Sequence, residues 1–177
     1  EIYIKEEAIL QDFREFLKNY IPAKSGKMVD IVSKKVIGEH QGIMYYTIGQ
    51  RKGLGIGGNG EPWFVVGKDY DKNILYIAQG DSNKWLLSHG ALITDVNWIS
   101  ATKPEGEYDC TAKFRYRQKD NDVSLHFIDE TTLYVTFKKP IKAVTPGQAA
   151  VFYDGDVCLG GGTIDKVYKD GKEFDYL

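Results

Sequence analysis

The spacing of apolar residues changes period once along the chain, at Pro22. Before it, Ile9, Leu10, Phe13, Phe16, Leu17 and Tyr20 recur every three or four residues and make one stripe, the pattern of an amphipathic helix. Pro22 ends that pattern, because the residue before a proline avoids the α region. Beyond it come short runs rich in aromatic and β-branched residues, at 29–32, 35–37, 44–48, 63–66 and 74–78. Each is bounded by turn-forming residues, which predicts strands. A polar break at 79–83 precedes a second set at 91–94, 97–99, 108–116, 123–128, 132–137, 149–153, 157–160 and 163–168. Asp154-Gly155 is a hairpin signal, and Lys103-Pro104-Glu105-Gly106 and Thr145-Pro146-Gly147-Gln148 read as turns.

The pattern therefore predicts a mainly β protein of two small antiparallel, barrel-like domains preceded by one helix. The expected boundaries are 1–23 for the helical lead-in, 24–84 for a central β domain and 85–177 for a C-terminal β-barrel domain. Nineteen glycines and twelve tyrosines in 177 residues agree with β structure rich in turns. No apolar run approaches the ~20 residues of a membrane span, and charged residues at 5–7 argue against a signal peptide.

Charge narrows the chemistry. The formal net charge is −2, so a nucleic-acid surface would have to be a local patch. Two patches are candidates. Gln50-Arg51-Lys52 is a polar, doubly basic tip followed by glycines at 53, 55, 57 and 58; backbone exposed by glycine next to two cations suits an anion such as phosphate. The alternative is a plain loop. A dinucleotide fingerprint is rejected, because a strand-like run follows the glycines where that motif needs a helix. In the second patch, alternation over 108–117 puts Lys113, Arg115 and Arg117 on one strand face, with Tyr108, Cys110, Ala112, Phe114 and Tyr116 on the other. A cationic stripe beside an aromatic suits phosphates and stacked bases, and a solvated strand face is the alternative.

Other reactive residue types carry less. Cys110 and Cys158 have no disulfide or metal spacing and read as small core residues, which fits a reducing cytoplasm. Cys158 lies beside Gly160, Gly161 and Gly162 and is the one candidate for a thiol nucleophile. His40, in Glu39-His40-Gln41, has no mapped partner, and its expected role is structural or RNA-contacting. His89 and His126 look ordinary. No metal site is expected.

Longer motifs bring a resemblance. Residues 16–26 (Phe-Leu-Lys-Asn-Tyr-Ile-Pro-Ala-Lys-Ser-Gly), 38–58, 61–68 (Glu-Pro-Trp-Phe-Val-Val-Gly-Lys), 114–118 (Phe-Arg-Tyr-Arg-Gln) and 143–165 resemble, in order, the C-terminal half of the tRNA-specific 2-thiouridylases, over about 12–177. That resemblance implies an enzyme that uses ATP to activate C2 of the wobble uridine in certain tRNAs, after which a persulfide sulfur replaces the oxygen. ATP would bind a preceding domain with an S-G-G-x-D-S loop, which these residues lack. The family's cysteine motif G-I-C-F-I-G would fall near residues 1–11, where no cysteine stands. The expectation is thus no catalytic residue and no cofactor in this chain, which alone would be inactive. It would be the tRNA-gripping portion of a cytoplasmic transferase that works with a sulfur-carrier protein. The resemblance puts Arg115, Tyr116 and Gln148 at tRNA-contact positions, and Gln50, Arg51 and Lys52 on the side facing tRNA. It does not suggest an S-adenosylmethionine site. A freestanding β-barrel that binds protein is the competing expectation.

Overall fold

The computed structural model describes residues 23–99, 104, 106–116 and 118–174. The helix expected over 1–23 lies outside the described residues but for its last. The rest is mainly β, in two compact units, one ending at Gln79 and the other beginning at Gly80.

The first unit holds β1 (Gly26–Asp30), β2 (Val36–His40), β3 (Trp63–Asp69) and β4 (Ile74–Gln79). They form one four-stranded sheet in the order β2-β1-β4-β3. Each hairpin is set by its turn. Asp30 accepts from the Val32 and Ser33 backbone N–H groups, and Lys34 takes a left-handed φ of 60°. Asp69 likewise accepts from the Lys72 N–H at 2.8 Å before Asn73, at φ 54°. Such side-chain bonds are why Asp and Asn mark turns. The two hairpins join through β1 and β4, which run parallel, from Lys27 opposite Ile74 to Asp30 opposite Ile77. This single parallel ladder departs from the antiparallel expectation. A parallel pair needs a long connection; here it runs through β2, the segment 41–62 and β3.

Residues 44–48 are not the strand expected. Ile43–Tyr45 form a 3-10 turn, with the Tyr45 N–H donating to the Gly42 carbonyl at 3.0 Å. Tyr45, Tyr46 and Ile48 are all buried. This stretch of the connection is thus an irregular segment packed through its own side chains, with Met28, Val65, Val66, Leu75 and Ile77 in the unit's buried interior.

In the second unit a 3-10 turn at Lys84–Leu86 leads into β5 (Leu87–Trp98), followed by β6 (Glu107–Lys113), β7 (Asn121–Phe127), β8 (Leu133–Lys142), β9 (Ala149–Asp154), β10 (Val157–Lys169) and the short β11 (Lys172–Glu173). Every ladder is antiparallel. The order β10-β5-β8-β7-β6-β9 closes on itself through β9–β10, and β11 lies beside β10. The result is the barrel the sequence predicted. The runs expected separately at 91–94 and 97–99 are one strand, and so are those at 157–160 and 163–168. Register shifts in β10 between Gly161 and Thr163 and between Ile164 and Lys166 bend this long strand around the barrel, as bulges do.

The glycine triplet lies where β10 is clamped between β5 and β9. A Cβ on Gly160 would stand 2.3 Å from the Asn97 carbonyl oxygen, one on Gly161 2.5 Å from that of Ala150, and one on Gly162 2.6 Å from that of Thr94. The close approach of three strands accounts for these glycines. Inside, Phe114 packs on Phe137 at 4.9 Å between ring centroids, and Trp98 stacks on Phe152 at 6.0 Å, within a core that includes Ile93, Leu125, Val135 and Ile164.

Candidate nucleic-acid interface

The β6–β7 connection is built around Phe114. Its ring is 1% exposed and pins the chain to the core one residue beyond the end of β6. The Arg115 carbonyl then accepts from the Gln118 N–H at 3.1 Å, closing a tight turn, and the Gln118 side-chain oxygen accepts from the Phe114 N–H at 3.1 Å. Arg115 is exposed, and Tyr116, at the turn's outer corner, is 95% exposed. The strand alternation that would turn Tyr116 inward fails here, because β6 stops at Lys113. The expected stripe does not continue as a strand face either. Lys113 pairs with Asp120 at 3.4 Å and lies 5.1 Å from the Tyr153 ring centroid, and Arg117 lies outside the described residues.

Gln148 reaches the same end of the barrel by another route. Thr145-Pro146-Gly147-Gln148 is a turn in which Gly147 has φ 79° and the Gln148 N–H donates to the Thr145 carbonyl at 3.3 Å. Glycine at the third position after proline is the type II signature. Backbone bonds to Ile164 on both sides of Gln148 lock the turn to β10: the Gly147 N–H donates to the Ile164 carbonyl, and the Ile164 N–H to that of Gln148, each at 2.8 Å. Gln148 is exposed. In the β6–β9 ladder Lys113 lies opposite Val151. β6 runs out of the barrel toward Arg115 where β9 enters it from Gln148, so topology gathers Arg115, Tyr116 and Gln148 at one rim.

The other candidate group is in the first unit. Gln50 is tied to β3 by two backbone bonds: the Gly49 N–H donates to the Val65 carbonyl at 2.7 Å, and the Val65 N–H to the Gln50 carbonyl at 3.0 Å. Its side chain also serves the loop, accepting from the Thr47 N–H at 3.0 Å and donating to the Lys52 carbonyl at 2.9 Å. Gln50 therefore shapes the loop that presents the exposed Arg51 and Lys52. Arg51 borders a cleft of about 410 Å³ whose walls include Leu54, Ile56, Glu61 and Trp63 as well as the glycines. Gly53, Gly55, Gly58 and Gly60 have φ between 66° and 125°, which accounts for glycine there. Gly57 is different: its φ is not positive, and a Cβ on it would meet no atom within 4 Å.

Neither cysteine is fully exposed: both are half-buried free thiols. Burial, reinforced by the Asp109 and Asp154 carboxylates, pushes Cys110 up to about 12, so it stays protonated. His40 is 1% exposed, its Nε2 lies 3.2 Å from the Asn73 carbonyl oxygen, and burial lowers its pKa. That geometry makes it a structural residue of β2 and removes it from any surface contact. Among the described residues no group of three or more His, Cys, Asp or Glu side chains is placed to hold a metal, and no helix is long and apolar enough to cross a membrane.

Residues 14–79 match the family described as tRNA methyl transferase PRC-barrel domain, and residues 88–164 the family described as Aminomethyltransferase beta-barrel domain. The chain is 56% identical over 167 residues to the tRNA-specific 2-thiouridylases MnmA of Bacillus cytotoxicus, Bacillus cereus and Bacillus thuringiensis. The chain belongs to the tRNA-specific 2-thiouridylase family. The match covers 94% of this chain and 45% of each of those proteins, so the chain spans a little under half the length of its 2-thiouridylase relatives. The Gln50–Lys52 loop falls within the first matched segment, and Arg115, Tyr116 and Gln148 within the second. Sequence reasoning missed Gln118 and Phe114 as the residues that shape the Arg115 turn. The signal was a large apolar residue at the last inward position of a strand, four residues before an amide.

Proposed function

We propose that this chain is the tRNA-contacting portion of a tRNA-specific 2-thiouridylase, with Arg115, Tyr116 and Gln148 touching the RNA. The supporting observation is their convergence on one rim of the barrel, from two separate connections, each internally braced. Arg115 offers a planar fork of donors that suits phosphate oxygens. Tyr116 projects an accessible ring to stack on a base. Gln148 supplies an amide donor and acceptor on a rigid turn. Arg51 and Lys52 form a second contact in the first unit, with Gln50 holding their loop.

In this reading the parent enzyme activates the wobble uridine with ATP bound elsewhere in the protein and receives sulfur from a persulfide on a carrier protein, in the cytoplasm. The present residues carry no catalytic cysteine motif and no nucleotide loop, so they do not thiolate tRNA by themselves. Formation of 2-thiouridine by this chain with ATP and a sulfide donor would overturn that part.

The binding test is a salt titration of tRNA affinity for the chain and for Arg115→Ala. Each phosphate contact contributes roughly 0.7–0.9 to the log–log slope. The substitution should weaken binding and flatten the slope by about one contact. An unchanged affinity and slope would leave Arg115 a solvated surface residue and favour a protein-binding barrel.

A further inference from the structure

The barrel is charged unevenly from end to end. The rim that carries Arg115 and Gln148 is also where β5 starts, β7 starts and β8 finishes, because Leu87 lies opposite Lys142 and Ala112 opposite Asn121. It therefore also holds Lys84, Lys119 and Lys139, all exposed. Lys119 directly follows the Arg115 turn. Lys139 borders a surface hollow of about 180 Å³ together with Asp120, Asn121, Asp122, Lys138 and Pro140. Lys84 lies 5.2 Å from the ring centroid of its neighbour Trp85. In the closed strand order β5 stands across the barrel from β6, so the start of β5, just after Lys84, lies across the mouth from the end of β6, just before Arg115. Three acidic groups at this rim are matched, Asp120 by Lys113, Asp81 by Lys142 and Glu173 by Lys166; Asp122 lines the Lys139 hollow and Asp170 lies 3.6 Å from His89, so the lysines and Arg115 still outnumber the unmatched carboxylates. Neither Lys119 nor Lys139 pairs with a described carboxylate.

The opposite rim has the other sign. Asp129, Glu130 and Asp156 occupy its connections, Asp95, Glu107 and Asp154 lie in the strands close to it, and all six are exposed. Among the described residues of those connections there is no lysine or arginine. Strands of about seven residues, such as β6 and β7, tilted in a barrel separate the rims by roughly 20 Å, about twice the Debye length near physiological salt. The two ends thus act on a polyanion separately.

We infer that the RNA footprint of the barrel is the whole basic rim, extended from Arg115 across the mouth to Lys119, Lys139 and Lys84, and that the acidic rim keeps the barrel from docking the other way round. The inference rests on the tRNA-contact reading and goes beyond its three residues. The partner is the sugar-phosphate backbone, since the added groups are lysines, which act as point charges without base selectivity.

The test compares two triple variants of the chain in salt titrations of tRNA binding. Lys84→Ala/Lys119→Ala/Lys139→Ala should flatten the log–log slope by about two contacts or more and weaken binding at least tenfold at low salt. Asp129→Asn/Glu130→Gln/Asp156→Asn changes net charge by the same amount in the other direction and should leave the slope as it is. The extended footprint is overturned if the lysine variant keeps the parent slope while Arg115→Ala flattens it, or if neutralising the acidic rim tightens binding as much as the lysine variant loosens it. If Arg115→Ala and the lysine variant are both silent, the tRNA reading fails first and this inference with it. All substituted side chains are exposed, and unchanged circular dichroism checks that each variant folds.

Discussion

The barrel's closure should be far more sensitive to one methyl group at Gly161 than the first unit is at Gly57. In Gly161→Ala the new Cβ would lie 2.5 Å from the Ala150 carbonyl oxygen and 3.3 Å from the Val151 Cα. Real Cβ atoms do not approach an oxygen so closely, and both opposing atoms are backbone of β9, paired with Gly161 in the ladder. Relief requires β9 and β10 to separate locally, which loosens the one ladder that shuts the barrel. Overpacking of this kind costs about 1–3 kcal/mol, and the immobile neighbour places it in the upper half, about 2–3 kcal/mol. For a unit near 100 residues, 1 kcal/mol shifts Tm by about 4–8 °C, so a fall of roughly 10–20 °C is expected. Gly57→Ala meets nothing within 4 Å and has no left-handed backbone. Its effect should stay within about 0.5 kcal/mol or be slightly stabilising through the unfolded chain. Urea unfolding followed by the fluorescence of Trp98, which is stacked in the barrel core, reads the second unit. A Gly161→Ala midpoint equal to the parent's would refute the steric account of the triplet and reopen a functional reason for these glycines.

Two further predictions concern titratable groups. His40 is buried and its pKa lowered by that burial, so the unfolded chain takes up its proton first as pH falls; stability of the first unit should be level above about pH 6.5 and decline below it, and a urea midpoint for that unit that does not fall between pH 7.5 and 5.5 would contradict this. Cys110, pushed up to about 12 by burial and two carboxylates, should react with iodoacetamide at pH 7.5 at least tenfold more slowly in the folded chain than in urea, because the thiolate is the reactive form; equal rates, read by mass spectrometry, would rule out the buried, protonated thiol.

Much of the fold is legible because its strands are short runs of aromatic and β-branched residues bounded by turn signals, and some, β8 among them, alternate buried and less buried positions. The failures have physical causes. Residues 44–48 carry the residue types of a strand but begin in a 3-10 turn, and nothing in their composition separates the two. The parallel β1–β4 ladder leaves no local mark, because it depends on how two finished hairpins meet. Alternation phases Tyr116 inward only when it is extended past Lys113, where the strand has ended. Of the candidate site, the residue identities come from motif resemblance. Their convergence comes from strand order, as do the acidic and basic rims: Lys84 and Arg115 are 31 positions apart and share an edge only once the sheet closes.

The same closure sets a timetable for synthesis. β5, which opens the second unit, takes as a neighbour the last long strand, with Gly90 opposite Tyr168. Contacts this distant in sequence form slowly, and here they cannot begin until the ribosome has passed Tyr168. The first unit is complete by Gln79 and can fold while the second is still emerging. During that interval β5 presents an apolar face with one flank unpaired, so the second unit is the part of the chain most dependent on rapid completion or on protection by a chaperone.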